Sequence, residues 1–429
     1  MTVAEKASAA RSASRVMASL SVERKNHALG LIAAALRGRR AEIESANRAD
    51  REAAAREALA EPLAKRLTFE GEKLDQAAIG VESVAALEDP VGRTLGAREL
   101  DEGLELFRVT VPIGVVGMVF ESRPDALVQI ASLCLKSGNA VLLKGGTEAR
   151  NTNRVLYTVI SDAARTAELP DGWIALLESR DDVREMLVQS DSIDLIIPRG
   201  SNEFVQSVMR QTTIPVLGHA DGICHVYVDS DADSALAVPV VVDAKTQYPA
   251  VCNALETLLV HIDVAALLLP AIAEAMPAVK LRACPRALAL LPGAVEATEA
   301  DWRAEYLDLV LAVRVVDSAD EAIAHINRYG SHHTDAIVTA DRARALEFMQ
   351  RVDSASVMWN CSTRFADGYR YGLGAEVGIA TGKIHARGPV GLEGLVTYQW
   401  RLFGSGQVVA HYSGSAGRLF THRVISEDR

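Results

Sequence analysis

The sequence predicts an α/β protein with two successive parallel-sheet blocks behind a helical N-terminal segment. Between residues 113 and 360, short apolar runs alternate with stretches long enough for a helix, the spacing of βαβ units. At 429 residues the chain exceeds what one core usually accommodates, so two or three domains are expected. The composition, 49% hydrophobic and 24% charged, supplies an ordinary globular core, and no repeat of fixed period appears.

Residues 1–90 are rich in Ala, Glu, Arg and Leu. Leu29, Ile32, Ala33 and Leu36 fall at helical spacing, which predicts two or three amphipathic helices with solvated charged faces and nothing catalytic. Residues 98–111 alternate about an acidic-Gly turn at Asp101, Glu102 and Gly103, so a β-hairpin is expected. Lying outside the main sheets, it suits pairing with a partner subunit.

Strands are then expected at 114–120, 140–144, 174–177, 193–197 and 225–228, with helices at 124–136 and 148–165. Pro124 occupies the first helical turn, where its missing N–H costs nothing. The second block begins with a helix over 232–247. Pro249 lacks an N–H and restricts Tyr248, so that helix ends before it. A buried strand over 255–260 and a helix over 264–276 follow. Strands at 309–316, 336–339 and 356–359 enclose helices at 319–328 and 342–350. Residues 361–391 read as glycine-rich loop, 395–409 as a further strand, and 412–429 as a polar, mobile tail. The expected domains are 1–230, 231–390 and 391–429.

The net charge of −11 argues against a nucleic-acid or anionic-membrane binder, since either calls for a basic face. No signal peptide is expected, and the longest apolar stretch, 264–279, is broken by Pro270, Glu274 and Pro277. Cys134, Cys224, Cys252, Cys284 and Cys361 are far apart, odd in number and without C-x-x-C. That suggests a reducing, cytoplasmic setting, a free thiol and no metal site.

Cys252 falls in the connection between the helix ending near Gln247 and the strand from Leu255. A thiol there is held between rigid elements yet reachable, a suitable seat for a nucleophile. Free cysteine also commonly just packs. Lys144-Gly145-Gly146 closes a strand at its carboxyl end, where open α/β sheets bind ligands. Lys144 would offer a charge to a phosphate or a donor to a ribose, although the glycines could equally make only a tight turn. No G-x-G-x-x-G is present. Arg199-Gly200-Ser201 leads into a helix start that could hold a phosphate, or Ser201 could simply cap it. Arg364, Arg370, Lys383, His385 and Arg387 form a cationic stretch in an acidic chain. With Asp367 and Glu376 among them, a self-neutralised surface loop is the alternative. His219, His332 and His333 have no ligand-like spacing.

Longer stretches carry a resemblance. They include Phe120-Glu-Ser-Arg-Pro124, Leu135-Lys-Ser-Gly-Asn-Ala-Val-Leu-Leu-Lys-Gly-Gly146 and Asp194-Leu-Ile-Ile-Pro-Arg-Gly200. Ala244-Lys-Thr-Gln-Tyr-Pro-Ala-Val-Cys-Asn-Ala254, Gly374-Ala-Glu-Val-Gly-Ile379 and Ile384-His-Ala-Arg-Gly-Pro389 extend the match. Over most of 105–400 the chain resembles the γ-glutamyl phosphate reductase family, a branch of the aldehyde dehydrogenase superfamily.

The resemblance implies an aldehyde-dehydrogenase-like fold: a Rossmann-type cofactor domain, a second α/β catalytic domain and a small β oligomerisation element. It implies NADPH-dependent reduction of L-glutamyl 5-phosphate to L-glutamate 5-semialdehyde with release of phosphate, a step of proline biosynthesis. Cys252 matches the catalytic cysteine, with its own N–H and Asn253 as candidate oxyanion donors. Lys144, with Gly145 and Gly146, matches the lysine that meets the adenosine ribose or its 2′-phosphate. Arg199, Gly200 and Ser201 join the cofactor set, and Glu305 matches a glutamate on the nicotinamide ribose. Ser122 takes the approximate place of an oxyanion-holding asparagine. Arg123, Arg364 and Lys383 are candidates for the substrate's anionic groups.

Near Leu217-Gly218-His219 the chain lacks the glutamate that activates water in hydrolytic relatives. That suits a reductase, because such a base would drain the thioester. A homo-oligomer, dimer or tetramer, is expected, and a contact with glutamate 5-kinase is left open. Two rival readings stand beside this one. They are a hydrolytic aldehyde dehydrogenase acting on a small aldehyde, and a non-catalytic nucleotide-binding protein with an inert Cys252.

Overall fold

The computed structural model describes residues 1–59, 61–121, 123–218 and 221–426. Five helices, rather than two or three, precede the first strand: Val3–Met17, Val22–Gly38, Arg40–Arg56, Glu61–Leu67 and Glu72–Ala86. The extra ends come from local capping. The Thr2 hydroxyl accepts from Glu5 N, and the Ser21 hydroxyl accepts from Arg24 N. These helices are not an appendage. Val3, Ala7 and Ala10 pack on one face of the first sheet, while Leu29, Ile32 and Leu36 pack into the core on the other. Arg11 clasps Asp194 with two bonds of 2.8 Å, tying the first helix to that sheet.

The first sheet is parallel, with spatial order Ile174–Leu177, Ala140–Lys144, Val115–Phe120, Leu195–Arg199. In chain order this is third, second, first, fourth. The direction of winding therefore reverses between Val115–Phe120 and Leu195–Arg199, and a ligand crevice is expected beyond Phe120 and Arg199. Every residue of Val115–Phe120 and Ala140–Lys144 is buried, as expected of strands covered on both faces.

The second sheet has seven parallel strands, in the order Val295–Glu296, Lys280–Ala283, Val310–Val316, Leu255–His261, Cys224–Val228, Thr334–Val338, Ser356–Trp359. The run at 225–228, expected in the first block, pairs here with Leu255–His261. An apolar run announces burial but not which sheet it joins. Lys280–Ala283 and Val295–Glu296 were not expected; one carries Lys280 and Arg282, and the other is two exposed residues at the sheet edge.

The hairpin is present as Thr94–Asp101 and Leu104–Pro112. Both its edges are taken by the chain's own C-terminal segment, with Val396–Phe403 along one and Arg423–Val424 along the other. The end of the chain is therefore built in, up to Val424, rather than loose. The Tyr412 and Phe420 rings stack at 4.6 Å. Trp400, Leu402 and Phe403 remain more than half exposed on the outer strand.

The stretch at 361–391 holds a small hairpin, Gly378–Ala380 with Gly388–Val390. Ala375, Val377, Ala380, Val390, Leu392 and Leu395 pack into the core of the first block. Packing thus does not follow the expected boundaries at 230 and 390. The chain leaves the first sheet before Cys224 and returns to it after the second.

Candidate active site

The Cys252 loop is built by the elements on either side. The helix Ser234–Thr246 ends at Gln247, as Pro249 requires, and the strand Leu255–His261 carries the chain away. Cys252 is partly exposed between them, while Cys134, Cys224 and Cys284 are buried. The Cys224 thiol donates to the Cys252 carbonyl oxygen at 3.2 Å. Gly222 lies so close that a Cβ there would collide with the Cys252 backbone.

Asn253 is buried, and its Nδ2 donates to Ala366 O at 2.8 Å, while Thr363 Oγ1 donates to Asn253 O at 2.8 Å. Its side chain therefore fastens the loop with one of its two amide N–H groups. Burial pushes the Cys252 thiol up to about 12. The Glu305 and Glu376 carboxylates push the same way, and the Arg199 guanidinium opposes them. The thiol is therefore neutral near pH 7 in the free protein.

Glu305 accepts from Gly222 N at 2.9 Å, which sets its carboxylate beside the Cys252 backbone. Glu376 accepts from Gly368 N at 2.9 Å. Arg364 is buried, and its Nε donates to Gln247 Oε1 at 3.0 Å. No carboxylate pairs with it among the described residues. The aliphatic stem of Arg199 passes beside Gly378, and its Nη1 is buried without a partner. The charges bearing on Arg199 are those of Arg123, Glu376, Asp125 and Cys252. Arg199, which the sequence assigned to the cofactor with Gly200 and Ser201, thus also feels the charge of Cys252.

Lys383 is not part of this group. It is exposed and pairs with Asp353 at 2.9 Å, beside Arg387 on the same carboxylate. A cation close in sequence to Glu376 is carried to the surface by the turn of the small hairpin. Ser122 and His219 lie outside the described residues.

Two cavities flank the segment after Phe120. One, of about 560 Å³, is lined by Phe120, Glu121, Lys144, Gly146, Glu148 and Arg180. The other, of about 880 Å³, is lined by Arg123, Asp125, Tyr248, Ala250, Gly374 and Ala375, with Lys65, Arg66 and Lys73 on its N-terminal wall. Tyr248 and Ala250 belong to the Cys252 loop, so that loop forms part of the larger cavity's wall.

The turns beside the smaller cavity are held close by their glycines. Lys144 sits at its strand's carboxyl end, and a Cβ on Gly145 would collide with Asn153 Nδ2, so that turn admits no side chain. A Cβ on Gly200 would press on Glu121 and Phe204 at 3.0 Å, keeping the neighbouring turn equally close. Ser201 stands at the start of the helix Asn202–Gln211, and its side chain makes no capping bond.

Residues 1–288 match the aldehyde dehydrogenase family. A curated gamma-glutamyl phosphate reductase of Pelotomaculum thermopropionicum is 59% identical over 430 residues, spanning 100% of this chain and 99% of the relative. Another, from Acetivibrio thermocellus, is 56% identical, again over 100% of this chain and 99% of the relative. The crystal structure of a gamma-glutamyl phosphate reductase from Thermotoga maritima superposes with a TM-score of 0.93 at 41% identity, covering 95% of this chain and 100% of that one. The chain belongs to the gamma-glutamyl phosphate reductases of the aldehyde dehydrogenase family. An acetylating aldehyde dehydrogenase from Geobacillus thermoglucosidasius, at 16% identity and a TM-score of 0.66, shares the fold.

Set within this family, the site contains residues that sequence reasoning passed over. Lys65, Arg66 and Lys73 come from helices read as uninvolved, and Glu376 was read only as a loop counter-ion. Lys65-Arg66 interrupts an otherwise ordinary amphipathic pattern, but nothing local says that this helix end reaches a cavity. Among the described residues, no helix is long and apolar enough to cross a membrane, and no group of three His, Cys, Asp or Glu could hold a metal ion.

Proposed function

We propose that this chain reduces L-glutamyl 5-phosphate to L-glutamate 5-semialdehyde and phosphate, the second step of proline biosynthesis, with Cys252 as the catalytic residue. The observation that carries this reading is a partly exposed cysteine whose loop lines a cation-rich cavity next to a nucleotide-sized one. Arg123, which lines the larger cavity, and Arg364, a buried guanidinium without a carboxylate partner among the described residues, hold the substrate's phosphate and carboxylate. Arg199 steadies charge beside the sulfur.

Cys252 Sγ bonds to the acyl carbon as the acyl–oxygen bond to phosphate breaks. The thiol proton leaves with the phosphate dianion, which departs as hydrogen phosphate. This balance suits a thiol that is neutral before substrate arrives, since the leaving group itself accepts the proton. Covalent transfer splits one difficult step into two easier ones. NADPH, when bound, supplies a hydride to the acyl carbon. Lys144, Arg180 and the Ser201 helix start would hold its phosphates, and Glu305 its nicotinamide ribose. Cys252 then leaves as the aldehyde forms, with the Cys252 N–H steadying the oxyanion.

The exposed Trp400, Leu402 and Phe403 on the outer strand support a homo-oligomer formed through that edge. The hydrolytic reading has one observation in its favour, two carboxylates bearing on Cys252. Both are already engaged by backbone N–H groups, Glu305 by Gly222 and Glu376 by Gly368. One assay separates the readings. Oxidation of glutamate 5-semialdehyde by NADP⁺ should require inorganic phosphate, whereas phosphate-independent formation of glutamate would favour hydrolysis.

A further inference from the structure

A buried ion pair brackets the nucleophile loop, and no step of the reaction above uses it. Lys245, in the last turn of the helix entering the loop, donates to Glu256 Oε2 at 2.7 Å. Glu256 lies on the strand leaving the loop, and both side chains are fully buried. The pair thus joins the two ends of the segment carrying Cys252.

The second oxygen of Glu256 reaches further, accepting from Leu307 N at 3.2 Å. Leu307 holds a left-handed backbone with φ 51°, which a branched side chain rarely adopts without support. Two residues earlier, Glu305 accepts from Gly222 N, and Gly222 is pressed against the Cys252 backbone. The Lys245 ammonium also lies 5.9 Å from the centre of the Tyr306 ring. The chain of contacts is closed: loop entry, loop exit, the 305–307 turn, Gly222 and back to Cys252.

Stability alone does not explain such a pair. Taking both charges out of water is costly, and a well-packed apolar pair of similar volume is often as stable. An apolar pair could not, however, hold Leu307 N. We infer that Lys245 and Glu256 are positioning residues that keep the Cys252 sulfur in register with the Glu305 turn, and so with the hydride donor that turn is proposed to hold.

The inference rests on Cys252 as the nucleophile, and its test keeps the two apart. Removing one charge strands the other in the core, so the informative variant is the apolar pair Lys245→Met/Glu256→Leu, with Glu256→Gln beside it. In the free protein, the double variant should melt near the wild-type temperature yet have Cys252 alkylated by iodoacetamide about fivefold faster, because the loop opens more often. In turnover, kcat should fall by about 10²-fold, the cost of a misplaced reacting group, while KM for the semialdehyde stays within about threefold. The isotope effect from deuterated NADPH should rise in the reducing direction, which a merely structural loss would not produce. A folded double variant with wild-type alkylation and kcat would overturn the clamp. Should the wild type fail to turn over glutamate semialdehyde at all, the nucleophile reading falls, and the alkylation comparison still judges the clamp.

Discussion

The cavity lined by Glu121 and the cavity lined by Arg123 are built in different ways. The Lys144 cavity is lined from before residue 230 throughout: Phe120 and Lys144 at strand ends, Gly146 and Glu148 in the turn after, and Arg180 and Phe204 from the helices beside them. The Arg123 cavity draws on an N-terminal helix end, the start of the helix Pro124–Lys136, the nucleophile loop and the return segment at 374–375. One cavity is thus built within the first block, and the other joins that block to the Cys252 loop; the proposed division gives the first to the cofactor and the second to the substrate's anionic groups.

If that division is right, substitutions should separate cleanly. The largest effect belongs to Cys252→Ala, which should abolish phosphate-dependent turnover while NADPH titration still shows wild-type affinity. Next come Arg123→Ala and Arg364→Ala, each expected to raise KM for the acyl-side substrates by about tenfold or more, with the cofactor KM unchanged. Lys144→Ala should do the reverse, raising the cofactor KM by about tenfold at unchanged KM for the semialdehyde. A variant that shifts both constants together would show that the cavities are one site.

The smallest effects concern the thiol itself. Glu305 and Glu376 raise the Cys252 pKa and Arg199 lowers it. Below about 12, the thiolate fraction of Cys252 climbs with pH. Glu376→Gln removes a nearby negative charge, so alkylation of the free protein at a fixed pH near 9 should quicken about threefold. Arg199→Gln removes a positive charge and should slow it by a similar factor. Opposite signs to these would mean that some other group governs the sulfur.

What the sequence showed and what it hid divide along the same line. Pro249 stops a helix by its own chemistry, so the Cys252 loop was visible in the primary structure. Lys144-Gly145-Gly146 declared itself for the same reason. By contrast, the run at 225–228 looked like any buried strand, and only its pairing with Leu255–His261 assigns it to the second sheet. The Glu376 charge bears on the cysteine because Ala375 and Val377 pack into the first block's core, a contact spanning more than two hundred residues of chain. Lys383, seven residues on, is taken to the surface by a hairpin turn. One N–H of the Asn253 amide is held by Ala366, more than a hundred residues along the chain. Periodicity reports local structure, and none of these outcomes is local.

The most direct test looks for the acyl group on the sulfur. The protein is mixed with glutamate 5-semialdehyde and NADP⁺ in phosphate-free buffer, quenched in acid, and mapped by peptide mass. The expected result is a stoichiometric burst of NADPH with a single glutamyl adduct on the Cys252 peptide, discharged when phosphate is added. A burst or sustained turnover with no adduct at Cys252 would contradict it.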